Sequence, residues 1–84
     1  MGIKIEAFLG EGEKGTRLKK LLMELKEELK EAIDLQMYEK ENEIFHSYGL
    51  KATPALVIEG LVKIQGICPS KETILKGLKE VGLG

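Results

Sequence analysis

The sequence predicts a small α/β domain, a four-stranded mixed sheet flanked by helices on both faces, and three features of its 84 residues carry that prediction. Leu18, Leu21, Leu22, Leu25 and Leu29 recur at helical spacing. Strand-like runs lie on either side of that helix, at residues 3–9 and 33–39. A break at Thr53-Pro54 is followed by two short apolar runs separated by Glu59-Gly60.

Each element follows from local pattern. Residues 3–9 are rich in apolar side chains in loose alternation and read as a buried strand ended by glycines. The long helix turns its leucines to a core and leaves Lys19, Lys26, Glu27, Glu28, Lys30 and Glu31 in solvent. Lys20 and Glu24 are spaced as an i,i+4 pair on that helix. Ile33, Leu35 and Met37 alternate with Asp34, Gln36 and Tyr38, so the next strand is half-buried and forms a right-handed parallel unit with the first. Asn42 is placed to cap a short helix through Tyr48, stopped by Gly49. Residues 55–58 and 61–64, joined by a two-residue turn at Glu59-Gly60, form an antiparallel hairpin. Ser70 caps a last helix with Ile74, Leu75, Leu78 and Val81 on one face and Gly82 near its end. The order is β-α-β-α-β-β-α, one domain over residues 1–84 without internal repeats.

Composition excludes several function classes. The 13 basic and 14 acidic residues nearly cancel and form no block of one sign, which argues against nucleic acid or an anionic membrane as partner. No apolar run approaches the roughly 18 residues of a membrane span. Met1 leads straight into Ile3-Lys4-Ile5-Glu6, without the basic start and apolar middle of a secretory signal, and a cytoplasmic location is expected. One cysteine, Cys68, and one histidine, His46, supply neither an internal disulfide nor a zinc ligand set, and no metal or cofactor is expected. A charged fraction of 32% with one Asn and two Gln leans toward heat-adapted composition.

Gly10, Gly12 and Gly15 spell G-x-G-x-x-G between the first strand and the first helix. A dinucleotide site uses such glycines to bring a pyrophosphate to a helix N-terminus, and Glu39 or Glu41 lies roughly where a ribose-binding acid would follow. Against this, the chain is short for a nucleotide-binding sheet, Glu11 and Glu13 would face the phosphates, and the hairpin after Pro54 belongs to another topology. The other readings are a flexible turn left free to drift, or a loop whose helix-terminal amides hold a carboxylate or small anion.

Thr53-Pro54-Ala55-Leu56 with the Gly60 hairpin, and Gly66 followed by Pro69-Ser70-Lys71-Glu72 opening the last helix, carry a resemblance to the thioredoxin fold. Within that fold the chain is similar to the small archaeal and bacterial thioredoxin-like, glutaredoxin-like redox proteins, over nearly its whole length. The resemblance implies a cis Pro54 facing a groove for an extended peptide or a thiol. It also implies a C-x-x-C motif before the first helix, where a helix N-terminus lowers a thiol's pKa and a second cysteine resolves the mixed disulfide. Counted from the first strand, and with Leu18 fixing the helix, that motif falls on Gly12-Glu13-Lys14-Gly15. Both cysteines are glycines, and dithiol oxidoreductase activity is expected to be absent.

The resemblance therefore points to a binding or regulatory module whose groove is lined by Gly12, Glu13, Lys14, Gly15, Thr53, Pro54, Gly66 and Ile67, with a protein, peptide or small thiol as partner. Cys68, two residues after Gly66, is the candidate lone thiol of an alternative redox reading; the simpler reading makes it a half-buried apolar filler. His46 has no nucleophile partner and reads as a surface or packing residue, and Phe45 and Tyr48 read as helix-to-sheet packing. Lys14, Lys19 and Lys20 read as a solvated face offset by Glu11 and Glu13. An edge strand in such a sheet leaves room for dimerisation by strand addition.

Overall fold

Strand β1 (Ile3–Phe8) lies inside the sheet of the computed structural model, which describes residues 2–83. Helix α1 (Glu13–Leu29) and a 3-10 turn (Lys30–Ala32) lead to β2 (Ile33–Tyr38), which pairs with β1 in parallel, Ile3 opposite Ile33 and Phe8 opposite Tyr38. A five-residue helix α2 (Glu43–Ser47) precedes β3 (Ala55–Ile58), which runs antiparallel to β1 on its other side. Strand β4 (Val62–Gln65) closes the sheet in the order β2-β1-β3-β4, and α3 (Lys71–Glu80) ends the fold. The expected α/β architecture, β-α-β-α-β-β-α, is the one observed.

The two sheet faces differ in cover. Alternate residues Ile5 and Ala7 of β1, Leu56 and Ile58 of β3 and Ile33 of β2 face the main core, sealed by Leu18, Leu22 and Leu25 of α1 and Ile74 and Leu78 of α3. Each fully buried leucine there contributes about 1.5–3 kcal/mol by leaving water. Leu21 and Leu29 flank this stripe, half-buried. The other face carries a smaller cluster of Phe8, Phe45, Leu50, Ala55 and Val57, covered by α2; Phe8 stacks on Tyr38 and meets Phe45 edge-on. Among the described residues no helix is long and apolar enough to cross a membrane.

The expected caps form. The Asn42 side chain accepts the Phe45 amide at 3.0 Å, and Ser70 accepts the Thr73 amide at 3.2 Å. Several local expectations shift. Strand β2 ends at Tyr38, and Tyr48 is the C-cap of α2 rather than its last residue. The hairpin turn is longer than two residues: Glu59 and Gly60 take positive φ, Leu61 N–H donates to Ile58 at 2.9 Å, and pairing resumes with Ile58 opposite Val62. That register leaves Leu61 outside the ladder and 77% exposed, as an inserted residue in a bulge is.

The Lys20 and Glu24 pair is absent from the ion pairs of the described residues; the i,i+4 pair on α1 is Glu13 with Arg17 at 4.0 Å. Lys26 is exposed, as expected, and its Nζ also closes the C-terminus of α1, donating to the carbonyls of Lys30 at 2.9 Å and Ile33 at 2.8 Å. No glycine stops this helix; Lys30 itself takes φ 49°, and the ammonium beside the last carbonyls offsets the negative end of the helix dipole.

Candidate functional site

At the C-terminal end of β1 the chain turns through residues 9–12 into α1. Gly12 is the N-cap, exposed, at φ 103° with no side chain to bond the first helical amides. Gly15, expected in a loop free to drift, is instead buried in the first turn of α1. A Cβ there would overlap the Leu9 carbonyl oxygen and lie 2.9 Å from that of Gly10, so only glycine lets the helix start this close to the strand end. The Leu9 and Gly10 amides are spent on Tyr38 and Glu39 carbonyls at 2.8 and 2.9 Å, continuing the β1 and β2 ladder past Phe8.

Those bonds bear on the nucleotide reading, because an amide held by Glu39 does not face a phosphate. The cleft beside this loop, of about 370 Å3, is lined by Gly10, Glu11, Gly15, Thr16 and Lys19 on one side and Glu39 and Lys40 on the other. Its charges alternate in sign, and it does not reach Pro54. Among the described residues no group of three His, Cys, Asp or Glu is placed to hold a metal ion.

The residues expected to line a groove come from three segments that touch one another. Gly10 packs so tightly on Thr53 that an added Cβ would lie 2.6 Å from the threonine Cβ. The Thr53-Pro54 peptide is cis, with Pro54 buried and Thr53 half-buried. Gly66 N–H donates to the Pro54 carbonyl at 2.9 Å, fixing the third segment against the second. Lys14 is exposed, as expected, and its Nζ stands 3.5 Å from the Gly66 carbonyl, so it bridges the first and third segments. Ile67 is 55% exposed beside them. Glu13 is not drawn into this arrangement and pairs with Arg17 on α1.

Cys68 is half-buried against the main core, its thiol donating to the Pro69 carbonyl at 3.7 Å. His46 is exposed on α2, edge-on to Phe45 at 5.4 Å.

Sequence reading missed a polar cluster around Glu6 and Tyr48. Glu6 on β1 is 2% exposed and accepts the Tyr48 hydroxyl, with Lys4 Nζ 3.9 Å away. The hydrogen bond to Glu6, then desolvation and the negative charge of Glu6, push the Tyr48 phenol from 10.0 up to about 12. Lys63 Nζ stands 5.7 Å over the Tyr48 ring and donates to the Tyr48 carbonyl at 3.1 Å. Gln65 Oε1 accepts the amides of Lys51 at 2.7 Å and Ala52 at 3.2 Å. The available signal was parity: Glu6 shares the Phe8 face of β1, and Lys63 and Gln65 share one face of β4.

A sequence profile of the thioredoxin domain matches residues 1–79. No curated protein matches the chain. With that match over nearly all of its length and a β2-β1-β3-β4 sheet between helices, the chain belongs to the thioredoxin-domain family, and its one cysteine is Cys68.

Proposed function

We propose that this thioredoxin domain is a non-catalytic binding module, taking a protein segment, peptide or small thiol in the groove between residues 12–15, Thr53-Pro54 and residues 66–67. The observation that supports it most is the junction of the three segments, Gly10 on Thr53, Gly66 on Pro54 and Lys14 on Gly66, around a helix start with glycine at both cysteine positions of the motif. The wall is kept, and the two sulfurs needed to reduce a disulfide and resolve the adduct are missing. Exposed Ile67 supplies an apolar contact beside the proline, and Lys14 supplies a cation at the mouth.

The test has two arms. In a protein-disulfide reduction assay with dithiothreitol the domain should add nothing to the background rate. In 15N spectra, titration with a panel of extended peptides should move the Gly12, Thr53 and Gly66 amides before any on β2 or α3. Catalysed reduction, or binding mapped away from these three amides, would refute the reading.

A second reading rests on Cys68, half-buried and two residues from Gly66. Its thiolate would attack a small disulfide, forming a mixed disulfide and releasing one thiolate; a second small thiol would then release Cys68 and leave as the new disulfide. Cys68→Ser should abolish any such transfer, and should leave peptide affinity unchanged under the first reading.

A further inference from the structure

Strand β4 does more than close the sheet. Its residues Val62 and Ile64 pack against the main core, so Lys63 and Gln65 stand on the opposite face, the one covered by the five-residue α2 and by Leu50 after it. Both side chains reach the connection between α2 and β3. Lys63 donates to the Tyr48 carbonyl at the end of α2, Gln65 accepts the Lys51 and Ala52 amides, and the Gly66 amide donates to the Pro54 carbonyl. Lys63 and Gln65 of β4 and Gly66 just after it thus meet the loop at its start, middle and finish. The loop's far side is fixed by Gly10 against Thr53, and its beginning by Tyr48 on buried Glu6.

From this geometry we infer that Gln65 is a positioning residue for the groove: it holds the backbone of Lys51 and Ala52, and through them sets where Thr53 and Pro54 stand. The inference rests on the groove reading only for its consequence to a ligand. One carbonyl oxygen serves two consecutive amides, a geometry that fixes the direction of the chain as well as its place. Gln65 is the acceptor these two amides have among the described residues, and without it the chain entering Thr53 loses that hold. Lys63 acts one turn earlier in the same way, by holding the end of α2.

The test uses the full chain without ligand. Gln65→Leu removes the acceptor and keeps side-chain bulk; Gln65→Glu keeps an oxygen that accepts both amides beside the cationic Lys51 and Lys63. Amide hydrogen exchange at Lys51 and Ala52 should quicken about two- to tenfold in Gln65→Leu, with chemical-shift changes at Thr53 and Gly66, while β1 and β3 amides keep their protection. Gln65→Glu should restore wild-type exchange. Unchanged exchange at Lys51 and Ala52 would overturn the inference, as would equal loss of protection across β1 and β3, which would make Gln65 a stabilising residue only. Because no ligand is used, failure here leaves the groove reading standing, and failure of the peptide titration leaves this one standing.

Discussion

Replacing Gly15 by alanine tests the most constrained point of the site. In an ordinary helix the change would stabilise the protein by about 1 kcal/mol, because alanine loses less chain entropy. Here the new Cβ would overlap the Leu9 carbonyl oxygen and crowd that of Gly10. The Leu9 carbonyl is not free to swing away, since the Gly10 amide of the same peptide unit is bonded to the Glu39 carbonyl at 2.9 Å. Overpacking costs about 1–3 kcal/mol, and a collision with pinned backbone belongs at the upper end, leaving a net loss of about 2 kcal/mol. For a domain of this size that lowers Tm by about 8–16 °C. Thermal unfolding followed by circular dichroism measures it, with Gly77→Ala as control. At Gly77 the added Cβ meets the Cδ1 end of Ile58, which can rotate, and Tm should stay within about 8 °C of wild type. A Gly15→Ala protein as stable as wild type, or more so, would refute the claim that glycine is required there. The same collision awaits a cysteine, so Gly12→Cys with Gly15→Cys should destabilise the fold rather than simply restore a dithiol.

Tyr48→Phe leaves buried Glu6 without its hydroxyl donor and should cost about 1.5–3 kcal/mol at neutral pH by urea unfolding. Because the folded phenol is raised from 10.0 to about 12, its contribution is whole below pH 10 and disappears as pH rises through 12; the phenylalanine variant should lack that alkaline loss. Lys26→Met removes both bonds that close α1 and should cost about 1–2 kcal/mol, with faster exchange at the Lys30 and Ile33 amides as the local sign. Asn42→Ala should cost about 1 kcal/mol and open α2 first, because so short a helix depends on its cap.

What the sequence determined by itself was whatever a few neighbouring residues decide. The leucine stripe of α1, the alternation of β2, the Asn42 and Ser70 caps and the break before β3 each arise from periodicity or from a side chain reaching its own backbone three residues on. Such signals are written within one or two turns of chain, so the element order and the sheet class follow from them. The segments proposed for the groove were named instead by the resemblance to the thioredoxin fold, which Thr53-Pro54 and Gly66 carry.

Tertiary structure decided the rest, because the deciding partner lies far along the chain. Gly15 is buried because α1 docks on the end of β1, and Glu6 is tolerated inside because Tyr48, 42 residues away, supplies its donor. Lys14 meets Gly66 across 52 positions, and Gln65 finds Lys51 and Ala52 only once β4 lies beside β3. Leu61 is a strand residue by its hydropathy and a turn residue by its register, which the pairing of Ile58 with Val62 sets. A side chain's local pattern fixes which way it points; what it meets there depends on packing the whole sheet.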